Sequence, residues 1–212
     1  MVYQDRHYIW TVFFMKFRWL MWILLVFFTA SCLLSVETLW TQHKLAEKTV
    51  RLHVVANSDS EGDQAQKLQV RDAVLKEVLQ ITESCSDAAS AKREIALHMD
   101  EIREAAQKET DYGVQVSLGT EMFETRYYDT FTLPAGEYPA LRVKLGKAQG
   151  HNWWCVVFPS LCTAATSDAL ERTAAVGGFD SAETELIEGG EEEYELRFKS
   201  FEWLQALLDW IS

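Results

Sequence analysis

The sequence lacks the features that usually announce an enzyme. It holds no glycine-rich phosphate loop, which removes the main sequence argument for a bound nucleotide. It holds no Gly-x-Ser-x-Gly elbow, since Ser58 sits in Ala56-Asn57-Ser58-Asp59-Ser60, and an exposed serine nucleophile wants that turn. His151, Cys155 and Cys162 form His-x3-Cys-x6-Cys with no evident fourth ligand, whereas structural zinc wants four, usually in close pairs. No metal and no cofactor is expected. Internal repeats are missing too, which argues against a solenoid. Basic residues are scarce, 20 against 32 acids, for a net charge of −12. A field of that sign repels nucleic acid and anionic headgroups.

One further absence is informative. No charged residue occurs from Trp19 to Val36, and a membrane-spanning helix needs about 20 apolar residues, with a range of roughly 17–25. Arg6, Lys16 and Arg18 precede this run against the single acid Asp5. Lys and Arg resist translocation, so residues 1–18 are expected to stay in the cytoplasm and everything after Val36 to lie outside. The segment 19–36 fits an uncleaved anchor, a signal peptide cleaved after Ala30, or a lipoprotein signal ending at Cys32. Beyond Val36 stand 17 basic and 31 acidic residues, a net charge of −14. That composition suits a soluble partner-binding domain.

What is present reads as an α+β domain. Residues 37–49 are polar and suggest a stalk or helical extension. Val50–Ala56 alternates as a strand. Asn57–Asp63 is a turn by composition, with Ser60 and Asp63 spaced as an acidic capping box. Val70, Val74, Val78 and Ile81 predict a helix over about 63–81. Ser86 is expected to cap a second helix over about 87–109, closed by Gly113. After Gly113 the period falls to two, through Val114, Val116 and Leu118 and then Leu141, Val143 and Leu145. Trp153–Phe158 is the most apolar strand and is expected at the sheet centre. The order predicts a mostly antiparallel sheet with two helices on one face, behind an N-terminal transmembrane or signal helix. Residues 163–193 read as a flexible acidic linker. Residues 194–212 carry Phe198, Phe201, Leu204, Leu207, Leu208 and Ile211 as the stripe of a C-terminal amphipathic helix, which fits docking on the domain or on a partner.

Two places concentrate chemistry. Arg51–Asp63 runs a strand into a polar loop at a helix start, where backbone N–H groups can hold an anion; the plain alternative is a capped helix with a solvated loop. His53, Asp59 or Asp63 could do acid–base work only with a tuned pKa near a substrate proton. Asn152–Cys162 holds tandem tryptophans. Adjacent strand residues face opposite sides, so one of Trp153 and Trp154 is expected in the core. The other is left for a covering element or a partner, since Trp is frequent at binding hot spots. Cys155 and Cys162 could pair outside the cytoplasm, which would stabilise by about 2–3 kcal/mol, or remain two thiols.

Several runs are similar to one known family. Arg51-Leu52-His53-Val54-Val55-Ala56-Asn57-Ser58-Asp59-Ser60, then Asp63-Gln64 and Lys67–Val74, resembles the N-terminal signature of the stage II sporulation protein R family. Leu133–Val143 resembles it as well, as do Gly146–Cys162 and Leu196–Trp203. The departure is Ser160, where the family pattern has a second proline; it bears on loop geometry. The resemblance implies a protein made in the forespore of an endospore-forming bacterium. It would be exported across, or anchored in, the forespore membrane, facing the intermembrane space. There it would activate a membrane-embedded aspartic protease of the mother cell, which processes the pro-form of sigma-E. It implies a signal rather than an enzyme; an exported hydrolase of septal cell wall is the alternative. The density of motif residues marks Arg51, His53, Asn57, Ser58, Asp59, Asp63, Arg71, Asp72, Asn152, Trp153 and Trp154 as the partner surface. The protease is the expected partner, with the membrane engaged through 19–36 and no nucleic acid.

Overall fold

A computed structural model describes residues 3–128, 130–163 and 167–188. The chain divides into two compact units, Met1–Trp40 and Thr41–Ser212. Helix α1 (Tyr3–Glu47) makes up the first unit and runs into the start of the second; in the first it leaves Trp19, Trp22, Phe27 and Phe28 exposed. It is long and apolar enough to cross a membrane by length and composition. Apolar side chains at such exposure need a lipid or protein surrounding.

The second unit is built on a four-stranded sheet in the order β2-β5-β1-β6. These strands are β1 (Val50–Val55), β2 (Val114–Phe123), β5 (Gly136–Leu145) and β6 (Asn152–Phe158). β3 (Arg126–Tyr127) and β4 (Thr132–Leu133) form a small separate hairpin. β2 runs antiparallel to β5, and β6 antiparallel to β1, but β1 and β5 are parallel. The parallel pair forms because the helices and the β2–β5 return separate its strands in sequence; a parallel pair needs such a crossover.

One face is covered by α2 (Glu61–Thr82), α3 (Ala88–Leu97) and α4 (Met99–Lys108). Val70, Val74 and Val78 of α2 meet Leu52, Val54, Leu141 and Val143 of the sheet, with Ile95 and Ile102 beside them, all fully buried. Ser60 is the N-cap of α2, and its hydroxyl accepts from Asp63 N. The single helix expected over 87–109 is two. Asp87, not Ser86, caps the first in a capping box with Ser90, and the chain leaves helical geometry at His98 (φ −108°, ψ 25°). The apolar stripe of Ala91, Ile95, Ile102 and Ala106 continues across that break, which is why periodicity alone did not show it.

The opposite face is covered too. Leu45, near the end of α1, is fully buried in a cluster with Leu133, Val156, Leu161, Leu170 and Ile187. Ala46 packs in another with Phe123, Tyr138 and Ala140. The end of the expected stalk, 37–49, is therefore core. The expected linker over 163–193 instead carries α5 (Ser167–Val176) and α6 (Ser181–Glu188). Leu170, Ala174, Leu186 and Ile187 turn inward, while Val176 stays exposed, and tertiary packing stabilises helices that composition disfavours. Fully buried Glu183 of α6 pairs with Lys48 Nζ at 2.6 Å and accepts from Asp180 N at 2.7 Å. The expected helix over 194–212 lies outside the described residues.

β6 is an edge strand, not the central one. Its apolarity has another cause. Cys155, Val157 and Phe158 face the α2 side while Val156 faces the Leu45 cluster, so both of its faces are covered. A strand covered on both faces reads as a continuous apolar run wherever it sits in the sheet.

Candidate functional site

The loop after β1 folds around one carboxylate. Asp63 Oδ2 accepts from Asn57 Nδ2 at 2.8 Å and from Ser58 Oγ at 2.5 Å. Its Oδ1 accepts from the Tyr112 hydroxyl at 2.9 Å. These donors, Ser58 first and Asn57 next, hold the Asp63 pKa below the usual carboxylate range. Folding therefore favours the ionised form. The stabilisation is complete above a pH of about 4 and is lost as pH falls through the lower folded value. We expect acid unfolding of the parent to carry this component and Asp63→Asn to lack it, as read from melting temperature against pH. Equal acid slopes would show that the network does not select the ionised form.

The same loop is tied to the turn between β5 and β6. Asn57 Oδ1 accepts from Lys147 N at 2.9 Å. Gln149 N and Gly150 N donate to the carbonyls of Asn57 and Ala56. Asp59 Oδ1 accepts from His151 N and lies 2.5 Å from His151 Nδ1. Lys67, almost fully buried, donates to Gln64 Oε1 and to the His151 carbonyl, and burial pushes its pKa down. Gly146 has φ +54°, and a Cβ there would meet the Asn57 side chain. Asn57, Ser58, Asp59 and Asp63 thus satisfy one another and a neighbouring turn. The side chains of Asn57, Ser58 and Asp63 are engaged within the fold, whereas Asp59 stays 54% exposed beside His151.

A different group lies on the sheet face away from α2. His53 Nδ1 is 2.8 Å from Glu121 Oε2. Burial lowers the His53 pKa, and the cations Arg142, Lys144 and Arg51 also lower it against the Asn152 side chain. A carboxylate only accepts, so the Nδ1 that faces Glu121 carries a proton and donates it. Glu121 also pairs with Arg142 Nη2. Trp154 stacks on His53, ring centroids 5.7 Å apart, and Arg126 lies 3.7 Å above the Trp154 ring. Trp153, on the other face, has Arg71 at 4.7 Å, and Arg71 is paired with Asp72. Each tryptophan is half-buried beneath an arginine, so neither ring is the fully buried one expected, and each has a covering group.

Arg51 lies deepest. It is fully buried, with its guanidinium 3.9 Å from the Phe123 ring and 4.9 Å from that of Tyr138. Nη2 donates to the Tyr128 hydroxyl, while Nε and Nη1 have no hydrogen-bond partner among the described residues. Burial lowers its pKa and raises that of Tyr138. Glu121, Arg142 and Arg126 were missed by sequence reasoning. The β1–β5 and β2–β5 registers set Arg142 opposite both His53 and Ser117, and strand pairing is not written in any local pattern. Cys155 and Cys162 are joined by a disulfide, with Cα atoms 5.9 Å apart. Among the described residues no cluster of three or more His, Cys, Asp or Glu could hold a metal.

This arrangement offers little to a hydrolytic reaction. His53 has the carboxylate orienter of a general base, but Nε2 is closed off from solvent and the ring is roofed by Trp154. A substrate proton would have to reach that nitrogen. Stacked Arg and Trp on a half-exposed face are instead the chemistry of binding hot spots.

No solved structure matches the chain. The chain is 32% identical over 188 residues to stage II sporulation protein R of Bacillus subtilis (strain 168), an alignment covering 77% of this chain and 83% of that protein. The family model for stage II sporulation protein R matches residues 46–168, which begins at the buried end of α1 and takes in every strand of the sheet. The chain belongs to the stage II sporulation protein R family.

Proposed function

We propose that the unit from Thr41 onward is a sporulation signal read outside the cytoplasm of the cell that makes it. It crosses or stays anchored in the forespore membrane through α1 and faces the intermembrane space. There it binds the extracytoplasmic side of a membrane-embedded aspartic protease of the mother cell and shifts it toward the form that processes pro-sigma-E. Such a shift requires tighter binding to the active form than to the inactive one. Family membership supports the sporulation role, and the apolar exposed stretch of α1 supports the location.

The observation that carries the binding role is the Arg126–Trp154–His53 stack on a half-exposed sheet face. Arg126 and Arg142 put cations on that face, in a chain whose net charge is −12. Trp154→Ala and Arg126→Glu should each cut sigma-factor processing in sporulating cells by roughly tenfold or more, the size of one hot-spot contact. Thermal melting of the purified variants separates lost folding from lost signalling. Variants that melt like the parent and still support full processing would remove this face from the reading.

A further inference from the structure

The two edges of the sheet are treated differently. At β6 the chain folds back as a short 3-10 turn, Leu161–Thr163, and Val156 N donates to Cys162 Sγ at 2.9 Å. The Cys155–Cys162 bond fixes that return. At β2 no strand pairs with the outer side among the described residues. β2 is paired with β5 along all ten of its residues without a register shift.

The hydrogen-bond phase of that open edge can be read. Gly146 N donates to Gly113 O, and Gly113 and Gly146 are the next pair along the β2–β5 register. Bonded pairs recur at every second residue, so Gln115, Ser117, Gly119, Glu121 and Phe123 bond inward to β5. Val114, Val116, Leu118, Thr120 and Met122 turn their N–H and C=O outward. Gln107 Oε1 takes the Val114 N–H at 3.3 Å, which fits this phase and caps one end. Four residues with outward N–H and C=O remain.

Isolated proteins guard such an edge with lysine, proline, a bulge or a covering element. The sequence Val-Gln-Val-Ser-Leu-Gly-Thr-Glu-Met-Phe has no lysine and no proline. Its one charge, Glu121, is engaged by His53 and Arg142 on the inner side. Val114, Val116 and Leu118 lean on the core but are only partly buried, and Met122 is 72% exposed. The rim is acidic. α4 and the turn after it carry Asp100, Glu101, Glu104, Glu109 and Asp111 against Arg103 and Lys108, with Arg103 already paired to Asp100.

We propose that the outer edge of β2 receives an extended, basic segment of a partner protein as a fifth strand. Backbone bonds to Val116, Leu118, Thr120 and Met122 supply affinity, and alternate side chains cover the open flank of Val116 and Leu118. The acidic rim selects lysine or arginine on the incoming strand. A second copy of this chain would bring the same acidic rim and be repelled. That the partner is the protease rests on the function proposed above; the edge itself does not.

The test is hydrogen exchange of the full chain in detergent micelles. One probe is a short peptide of alternating valine and lysine; its twin has glutamate for lysine. The lysine probe should slow exchange at Val116, Leu118 and Thr120 by roughly tenfold or more, and the glutamate twin should not. Thr120→Pro removes one outward N–H from an exposed position and spares every bond to β5. It should abolish the protection while melting within about 2 °C of the parent. Met122→Lys, which installs the missing guard, should weaken it and covers the case in which Thr120→Pro fails to fold. No protection by the lysine probe, or equal protection by both probes, overturns the proposal. Full sigma-factor processing in cells carrying a Thr120→Pro chain that melts normally overturns the protease as the partner at this edge, and leaves the edge itself to the two probes. The Trp154→Ala result judges the functional reading separately.

Discussion

Gly150→Ala should destabilise the protein by about 3 kcal/mol, the upper end of ordinary overpacking, and lower its melting temperature by roughly 6–12 °C. Gly150 sits where the β5–β6 turn meets the loop after β1. Its N–H donates to the Ala56 carbonyl at 3.0 Å. A Cβ there would lie 2.5 Å from the Ser58 carbonyl carbon, closer still to its oxygen, and 2.9 Å from Ala56 Cβ. The obstacle is backbone, which cannot rotate away as a side-chain end can. Separating the loops would strain the Asp59–His151 and Asn57–Lys147 bonds together. A thermal melt of the purified variant checks this. A shift under about 2 °C would show that the loops are not locked.

Arg51→Ala should lose about 3 kcal/mol, whereas Arg51→Met should match or exceed the parent. The alanine leaves a cavity among Phe123, Tyr128 and Tyr138, and large-to-small changes in a core cost about 2–5 kcal/mol. It also removes the cation–π contacts at 3.9 and 4.9 Å, worth up to about 2 kcal/mol when desolvated. Against this, the buried guanidinium has two donor atoms without partners. Removing an unpaired buried donor recovers its desolvation cost. Methionine keeps most of the volume and has no donor to satisfy, and apolar replacement of buried charge is often neutral or stabilising. Denaturant unfolding of both variants measures the difference. If methionine destabilises as much as alanine, the charge itself holds this core. If the methionine variant is stable but silent in sporulating cells, the guanidinium has a role beyond packing.

Local chemistry that depends on neighbours in sequence was legible. Ser60 caps α2 because its hydroxyl reaches a backbone N–H three residues on. The stripe of Val70, Val74 and Val78 faces the sheet because helical spacing puts those residues on one side. The α+β class followed from where the hydrophobic period changes. The candidate site was legible only in part. The Asn57–Asp63 motif was marked, but its side chains turn to one another and to the Gly146–His151 turn. Motif density could not say whether those residues face a partner or the fold.

The sequence alone determined that one uncharged stretch, Trp19–Val36, precedes an acidic domain, because spanning length and net charge are sums over residues and need no contacts. It also determined that β1, α2 and then β2, β5 and β6 follow one another between Val50 and Phe158, since periodicity is local. Tertiary structure alone decided that β1 and β5 run parallel at the centre and β6 lies at the edge. It alone made α5 of Ser167–Val176 and α6 of Ser181–Glu188, and brought Glu121, Arg126 and Arg142 to His53 and Trp154. The physical reason is common to these cases. Strand pairing and the covering of a second face are contacts between residues far apart in the chain, and their free energy appears only once both sides are in place.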